Sequence, residues 1–360
     1  MRARDSIDVL FESIEGLGSR KVGIELEILV LSKFKRQFQQ LARSLDIGVG
    51  SDFSMEKRHE GFEQFYGTVE IDIGRRPWTE IEGRLTQLTS WLRHEVPIKF
   101  KSQARPRVPA REHEIHLPIG RVSQTMTGAL HIHFDIDDWF RDHDHFRSFL
   151  AVFNEFLDRG DLESMVAKSR YAVAPKKSKF DTSSPYGQGH EYAKPWPAPV
   201  PRPTDVKRFQ NLPSDELTTM SAGSKTVRRK LTFDTSRVRD FVRWWAKEMD
   251  VDRLQAVNLL SSWDHGTLEF RFPNATLSIS AISGWVEFLA GLINFSRDKN
   301  YGQFLWASRR GEHKTIGQFM DKRKAAHGHP QFPPPWDRYD YEVPRSYRKL
   351  GLESLQPLSM

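Results

Sequence analysis

Gly23-Ile24-Glu25-Leu26-Glu27 near the start of the chain and Thr267-Leu268-Glu269-Phe270-Arg271-Phe272 toward its end share one pattern: charged residues alternate with large apolar ones. A β-strand puts residues i and i+2 on the same face. Glu25 and Glu27 therefore point one way, while Ile24, Leu26 and Ile28 point the other. Glu269 and Arg271 share a face in the same manner, backed by Leu268, Phe270 and Phe272. The apolar face belongs in a core. Acids along the opposite face are costly next to that core unless something cationic meets them, and a divalent metal is the simplest such partner. The competing explanation is an exposed sheet face whose acids pair with nearby Arg and Lys.

Working outward, Thr68-Val69-Glu70-Ile71-Asp72-Ile73 repeats the alternation and adds Glu70. Hard divalent cations take oxygen ligands, so Glu25, Glu27, Glu70 and Glu269 form a candidate metal set. Gly128-Ala129-Leu130-His131-Ile132-His133-Phe134-Asp135 is a further alternating run, with His131, His133 and Asp135 on one face. Such a His-x-His pair can bind metal or donate to phosphate. Arg271 could neutralise charge developing at a metal-bound phosphate, or simply pair with Glu269. The turn Ser51-Asp52-Phe53-Ser54-Met55 could touch substrate or be only a connection.

Composition narrows the chemistry. The 360-residue chain holds 38% hydrophobic and 28% charged residues, enough of each for a folded core. Its 10 Trp and 24 Phe give that core unusual aromatic weight. With no Cys there is no disulfide, thiolate nucleophile or Cys-bound zinc, so metal ligands must be His, Asp or Glu, which suits Mg²⁺ or Mn²⁺. A net charge of +7 permits anionic substrates such as nucleotide phosphates. Residues 1–20 contain acids and no apolar stretch of signal-peptide type, and no run reaches membrane-spanning length. The expectation is a cytoplasmic protein without a membrane partner. There is no P-loop motif and no Gly-x-Gly-x-x-Gly after a strand.

Along the chain, helices are expected over Asp5–Leu17, Phe34–Leu45, Trp78–Val96, Phe146–Leu157, Asp161–Ala167, Ser236–Glu248 and Ser278–Phe295. Strands are expected over Lys21–Leu31, Ala129–Ile136, Leu254–Leu260 and Gly266–Phe272, with a strand pair or bulged hairpin over Phe62–Ile73 ending at Gly74. Residues 173–233 are rich in Pro, Lys and Ser and read as an insertion or lid. Its basic residues include Lys176, Lys207, Arg208 and Arg228. Residues 1–172 and 234–326 would then form a single domain, and 327–360 a C-terminal tail with Pro333-Pro334-Pro335. His143, His145, His327 and His329 lie in polar stretches and receive no role. The irregular alternation of strands and helices favours an α+β fold with a mainly antiparallel sheet.

Taken together, the motifs resemble a known family. Gly23-x-Glu25-x-Glu27 comes first, then "SDFSM" (Asp52, Ser54) and "TVEIDIG" (Glu70). "GALHIHFDI" (His131, His133) and "LQAVNLLSSWDHGTLEFRFPNATLS" (Asn258, Glu269, Arg271) follow. Their order and spacing, over Lys21 to Phe295 without the insertion, resemble the amidoligases. These are carboxylate–amine ligases of the glutamine synthetase / γ-glutamylcysteine synthetase-like group. The resemblance implies a curved antiparallel sheet lined by acids and flanked by helices. It also implies ATP- and Mg²⁺- (or Mn²⁺-) dependent amide formation through an acyl phosphate. Carried over by motif, Glu25, Glu27, Glu70, Glu269 and His131 would hold metal. His133, Asn258 and Arg271 would serve ATP, with Arg271, Glu70 and His131 acting at the reacting groups. The partners implied are small-molecule or peptide carboxylates and amines, a protein side chain included, and not nucleic acid. The charged stretch Glu56–Glu60 and the insertion depart from the family pattern. Two other readings stand beside this one: a metal-dependent nuclease or phosphohydrolase, and a non-catalytic relative that binds a partner through the basic insertion.

Overall fold

The computed structural model describes residues 17–50, 66–92, 95–101, 112–118, 129–158, 198–212, 217–222, 225–230, 233–251, 255–273, 275–277, 279–297 and 356–357. The expected helices over Asp5–Leu17 (apart from Leu17) and Asp161–Ala167 lie outside these residues. So do the Ser51–Met55 turn with Asp52 and Ser54, His327, His329 and the triple proline.

Six strands form one antiparallel sheet. They are β1 (Lys21–Leu31), β2 (Gly48–Gly50), β3 (Tyr66–Pro77), β6 (Leu130–Asp135), β9 (Val257–Asn258) and β10 (Thr267–Phe270), in the order β2-β3-β1-β6-β10-β9. Strands β4 (Glu95–Lys101) and β5 (Glu112–Pro118) pair as a hairpin that β11 (Gln356–Pro357) extends, and β7 (Leu217–Ala222) pairs with β8 (Lys225–Lys230). The helices are α1 (Lys35–Ser44), α2 (Trp78–Leu92), α3 (Ile136–Trp139), α4 (His143–Asp158), α5 (Pro203–Gln210), α6 (Val238–Glu248), α7 (Ser261–Asp264) and α8 (Ile279–Arg297). The architecture is mixed helix and antiparallel sheet, as an α+β fold requires; the main sheet is not strongly curled, where a curved one was expected.

Alternation explains how the sheet is buried. Val22, Ile24, Leu26 and Ile28 of β1, Val69, Ile71 and Ile73 of β3, Leu130, Ile132 and Phe134 of β6, and Leu268 and Phe270 of β10 are all buried on one face. Helix α2 packs on β1 and β3, and α8 packs against α2 and α4. Phe270 is a hub of the aromatic core, 5.6 Å from Phe134, 5.9 Å from Phe149 and 5.7 Å from Phe153 between ring centroids, in edge-to-face arrangements.

The segment over Phe62–Ile73 resolves, in its described part, into a single strand that continues past Gly74. Gly23 pairs with Arg75 but Glu25 with Asp72, so β3 carries an extra residue there. Gly74, at φ +74°, takes up that residue as a bulge. The bulge resets the alternation, so that Glu70, Asp72 and Arg75 all accompany β1's acidic face.

Three further expectations change. Helix α2 spans Trp78–Leu92, and Val96 belongs instead to β4, whose Pro97 is incompatible with a helix interior. In its described part, residues 255–260, the strand expected over Leu254–Leu260 shortens to Val257–Asn258, and at its end Asn258 Oδ1 accepts from the Leu260 N–H (3.0 Å) and turns the chain into α7. Residues 198–212, which by composition belong to an insertion, are built into the core. The Pro-rich run cannot donate many backbone bonds, but it is held through its carbonyls. Trp245 Nε1 donates to Pro199 O (3.0 Å), Arg147 Nε to Pro201 O (2.8 Å) and Asn154 Nδ2 to Ala198 O (2.6 Å). Pro203 then opens α5 at its first position, where a missing N–H costs nothing, and α5 buries Val206 and Phe209.

Candidate metal centre

The acidic face of the sheet gathers the predicted residues by strand register. Glu25 of β1 lies directly across from His131 of β6, and Glu269 of β10 directly across from His133. One strand therefore separates the two glutamates, and its two histidines stand between them. Each histidine reaches its diagonal carboxylate as well. His131 Nδ1 is 3.2 Å from Glu25 Oε2 and 3.3 Å from Glu269 Oε1, and His133 Nε2 is 3.1 Å from Glu25 Oε1. Gly23 makes room for this: a Cβ there would stand 3.1 Å from His133 Cβ and 3.4 Å from Arg75 Cγ.

Glu25, His131 and Glu269 each offer a ligand atom, and these atoms lie within 4.8 Å of one another. Glu27, His131, His133 and Glu269 are buried and Glu25 is half-buried. Clustered carboxylates away from water demand compensation, and part of it is visible. Glu269 accepts from Asn258 Nδ2 (2.5 Å) and Arg271 Nη1 (2.6 Å), so Arg271 here takes the ion-pair role that its spacing allowed. Glu27 Oε2 accepts the Ala129 N–H at 2.9 Å, while its other oxygen is 3.6 Å from His131 Nε2. Glu70 lies opposite Glu27 on β3 and is half-buried, one strand further from the histidines.

The electrostatics follow from this crowding. Burial works to raise the Glu25 carboxyl, but His131 and His133 outweigh it and hold Glu25 far below the usual carboxylate range. Burial likewise pushes Glu269 up, and the charges of His131, His133 and Arg271 bring it below its ordinary value. Burial alone would depress His133; Glu25, then Glu269 and Asp72, raise it instead.

These residues fit a divalent cation. His131 Nε2 is buried without a hydrogen bond, and His133 Nε2 faces Glu25 Oε1 at 3.1 Å. Two carboxylates and an imidazole converge here. This oxygen-rich set suits Mg²⁺, and its imidazole suits Mn²⁺ as well.

Three residues around the cluster do not stand out in the sequence patterns. They are Thr267 and Ser261, which contact His133, and Arg75, which pairs with Asp135 at 2.9 Å. Thr267 was open to notice, because it stands two residues before Glu269 on the same strand face. His143 and His145 receive no role from the polar stretch around them, yet they begin α4 and are buried. His145 bridges two parts of the fold. The Arg141 N–H meets its Nδ1 at 3.1 Å, and its Nε2 faces Ile293 O at 2.7 Å.

No family model, no curated protein and no solved structure matches the chain. Among the described residues, no helix is long and apolar enough to cross a membrane.

Proposed function

We propose that the chain is an ATP- and Mg²⁺-dependent carboxylate–amine ligase, an amidoligase with a glutamine synthetase-like catalytic fold, acting in the cytoplasm where ATP is supplied. The supporting observation is the convergence of Glu25, His131 and Glu269, drawn from three separate motifs far apart in the sequence, within 4.8 Å. In the proposed reaction a substrate carboxylate takes the γ-phosphoryl group of ATP, releasing ADP. A substrate amine then displaces phosphate from the acyl phosphate and loses a proton, leaving an amide. The substrates are small-molecule or peptide carboxylates and amines, a protein side chain included. No enzyme nucleophile is needed, which suits a chain without cysteine.

Glu25, His131 and Glu269 would hold Mg²⁺ or Mn²⁺, which when bound supplies positive charge to phosphate oxygens. Glu27 and Glu70 extend the acidic surface toward β3, where a second cation would find oxygen ligands. Asn258 and Arg271 orient Glu269 by hydrogen bonds, and Arg271 would turn toward a phosphate beside that carboxylate. His133, next to Glu25, would donate to phosphate. The sheet keeps these groups on rigid strands, so little reorganisation is required when substrates bind.

The test is ADP release from ATP and Mg²⁺ with panels of amino acids and peptides as carboxylate and amine. Turnover should require both partners, and Glu25→Gln and Glu269→Gln should abolish it while the protein stays folded. Full activity in both variants, or metal-dependent cleavage of nucleic acid without ATP, would overturn the assignment.

A further inference from the structure

At the border of the acidic cluster stand two guanidinium groups to which the ligase reading gives no role. Arg75 follows the Gly74 bulge of β3, and Arg239 lies in the first turn of α6. Gly266, in the turn between α7 and β10, lies against both. A Cβ there would stand 3.2 Å from Arg239 Nη1, 3.0 Å from Arg239 Cδ and 3.7 Å from Arg75 Nη1. The turn itself is fixed. Gly266 has φ +70°, its N–H donates to Ser262 O (3.2 Å), and its carbonyl accepts the Ile136 N–H (3.1 Å).

Two like charges brought to one spot repel unless anions meet them, and here the anions meet them only in part. Arg75 Nη1 donates to Asp135 Oδ2 at 2.9 Å, through one of the five N–H groups that a guanidinium offers. Asp137 is engaged by Arg237 Nη2 in a short hydrogen bond, and it stays 3.7 Å from Arg239 Nε. That separation is too long for a hydrogen bond, and Arg239 Nε is buried without one. Asp138 accepts the Lys21 N–H instead (3.4 Å), and Asp240 serves Arg243 (3.2 Å). Three guanidinium groups thus share Asp135 and Asp137. The side chains of Arg75 and Arg239 are 41% and 27% exposed, so a solute can reach them.

Their position ties them to the cluster. Gly23 lies between His133 and Arg75, and Thr267, next to Gly266, is two residues from Glu269 on β10. Arg271 stands on the far side of Glu269. An extended chain separates residues five apart by about 16 Å, so phosphates beside Arg271 leave the Gly266 end open to a different group.

We infer that Arg75 and Arg239 form an oxyanion subsite over Gly266, and that it seats a second, unreactive carboxylate of the substrate. A carboxylate can accept from both guanidinium groups, whose planar forks match its geometry. Gly266 keeps the space clear, since any side chain there would meet Arg239. The substrate class is then a dicarboxylate, with one carboxylate activated at the cation and the other held here. This use of the subsite rests on the ligase reading; the oxyanion site itself rests on the two arginines.

The experiment is equilibrium dialysis of labelled succinate, and separately of butyrate and of a non-hydrolysable ATP analogue, against the full-length protein with Mg²⁺. Succinate should bind more tightly than butyrate. Arg239→Gln should weaken succinate binding by about 10- to 100-fold, the usual effect of losing charge-assisted hydrogen bonds, and leave binding of the ATP analogue unchanged. Arg239→Lys, which keeps the charge without the fork, should recover part of the loss, as a merely structural defect would not. Should Arg239→Gln fail to fold, Arg75→Gln carries the same expectation. Succinate binding that is no tighter than butyrate binding, or that is unchanged in both Gln variants, would overturn the subsite. So would loss of the ATP analogue in place of succinate, which would mark a phosphate site. Succinate binding that depends on Arg239, in a protein that turns over ATP with no carboxylate and amine, would uphold the oxyanion site and overturn the ligase reading.

Discussion

Two buried histidines report opposite sides of how this chain treats charge. His145 lies among α4 and α8 with an amide N–H aimed at Nδ1, so Nε2 carries the hydrogen that Ile293 O accepts and the ring is neutral. Burial holds its titration below the ordinary value of about 6.5. His133 is raised instead: Glu25 beside it overcomes the effect of burial. The signs lead to different limbs. Below pH 6.5 the unfolded chain takes up a proton that folded His145 resists, so stability falls with acid from 6.5 downward. His133 contributes fully below 6.5, and its contribution is lost as pH rises from 6.5 through the higher value it has in the fold. Freed of metal by a chelator, the protein should therefore be most stable near pH 6.5, by urea unfolding at a series of pH values. His145→Gln should reduce the acid limb, to which buried His143, also held low, contributes as well, and His133→Gln should flatten the alkaline one. Stability that climbs steadily from about pH 5 to about pH 9 in the chelated protein would contradict this assignment of charges. In the sequence His133 stood out, because its alternating neighbours declare a strand face. His145 did not: Asp142, His143 and Asp144 around it read as a polar stretch, and its burial depends on α8, far along the chain.

At the scale of elements, alternation was a guide to some strands and not to others. β1, β6 and β10 announce themselves through Ile24, Leu26, Ile132, Phe134 and Phe270. β4 alternates too, through Val96, Ile98 and Phe100, but it follows directly on the helical pattern of Trp78–Val96; Lys-Thr-Val-Arg-Arg-Lys of β8 has no alternation and reads as a basic loop. The Pro-rich stretch misled for a different reason. Proline density argues against regular structure, yet carbonyls remain good acceptors, and Trp245, Arg147 and Asn154 supply donors from elsewhere in the chain. Helix α5 follows, and Phe209 packs 5.3 Å from Phe241 and 5.5 Å from Trp244. Phe209→Ala should destabilise the protein by about 3–5 kcal/mol in equilibrium unfolding, as for other buried phenylalanines. A loss well under about 1 kcal/mol would show that this part of the 173–233 stretch is a detachable appendage.

Across the whole molecule, topology converts two distant sequence motifs into one place. The sequence made Glu25 and Glu269 conspicuous, but it does not say how many strands separate them. The sheet order answers that: β6 alone lies between β1 and β10, and its His131 meets both carboxylates. Glu27 and Glu70, equal candidates by pattern, take lesser places, because Glu27 is committed to the Ala129 amide and Glu70 sits one strand further out. Strand pairing over such separations is set by the packing of α2, α4 and α8 on the reverse face, which local patterns do not encode. The central claim is that this convergence holds a divalent cation for phosphate chemistry. Crystals of the full chain grown with Mn²⁺ and a non-hydrolysable ATP analogue test it most directly, through the anomalous scattering of manganese. An anomalous peak ligated by Glu25, His131 and Glu269, with the analogue's phosphates beside Arg271, is the result expected. Manganese bound elsewhere or nowhere, with Glu25 still against His133 and Glu269 still against Arg271, would contradict it.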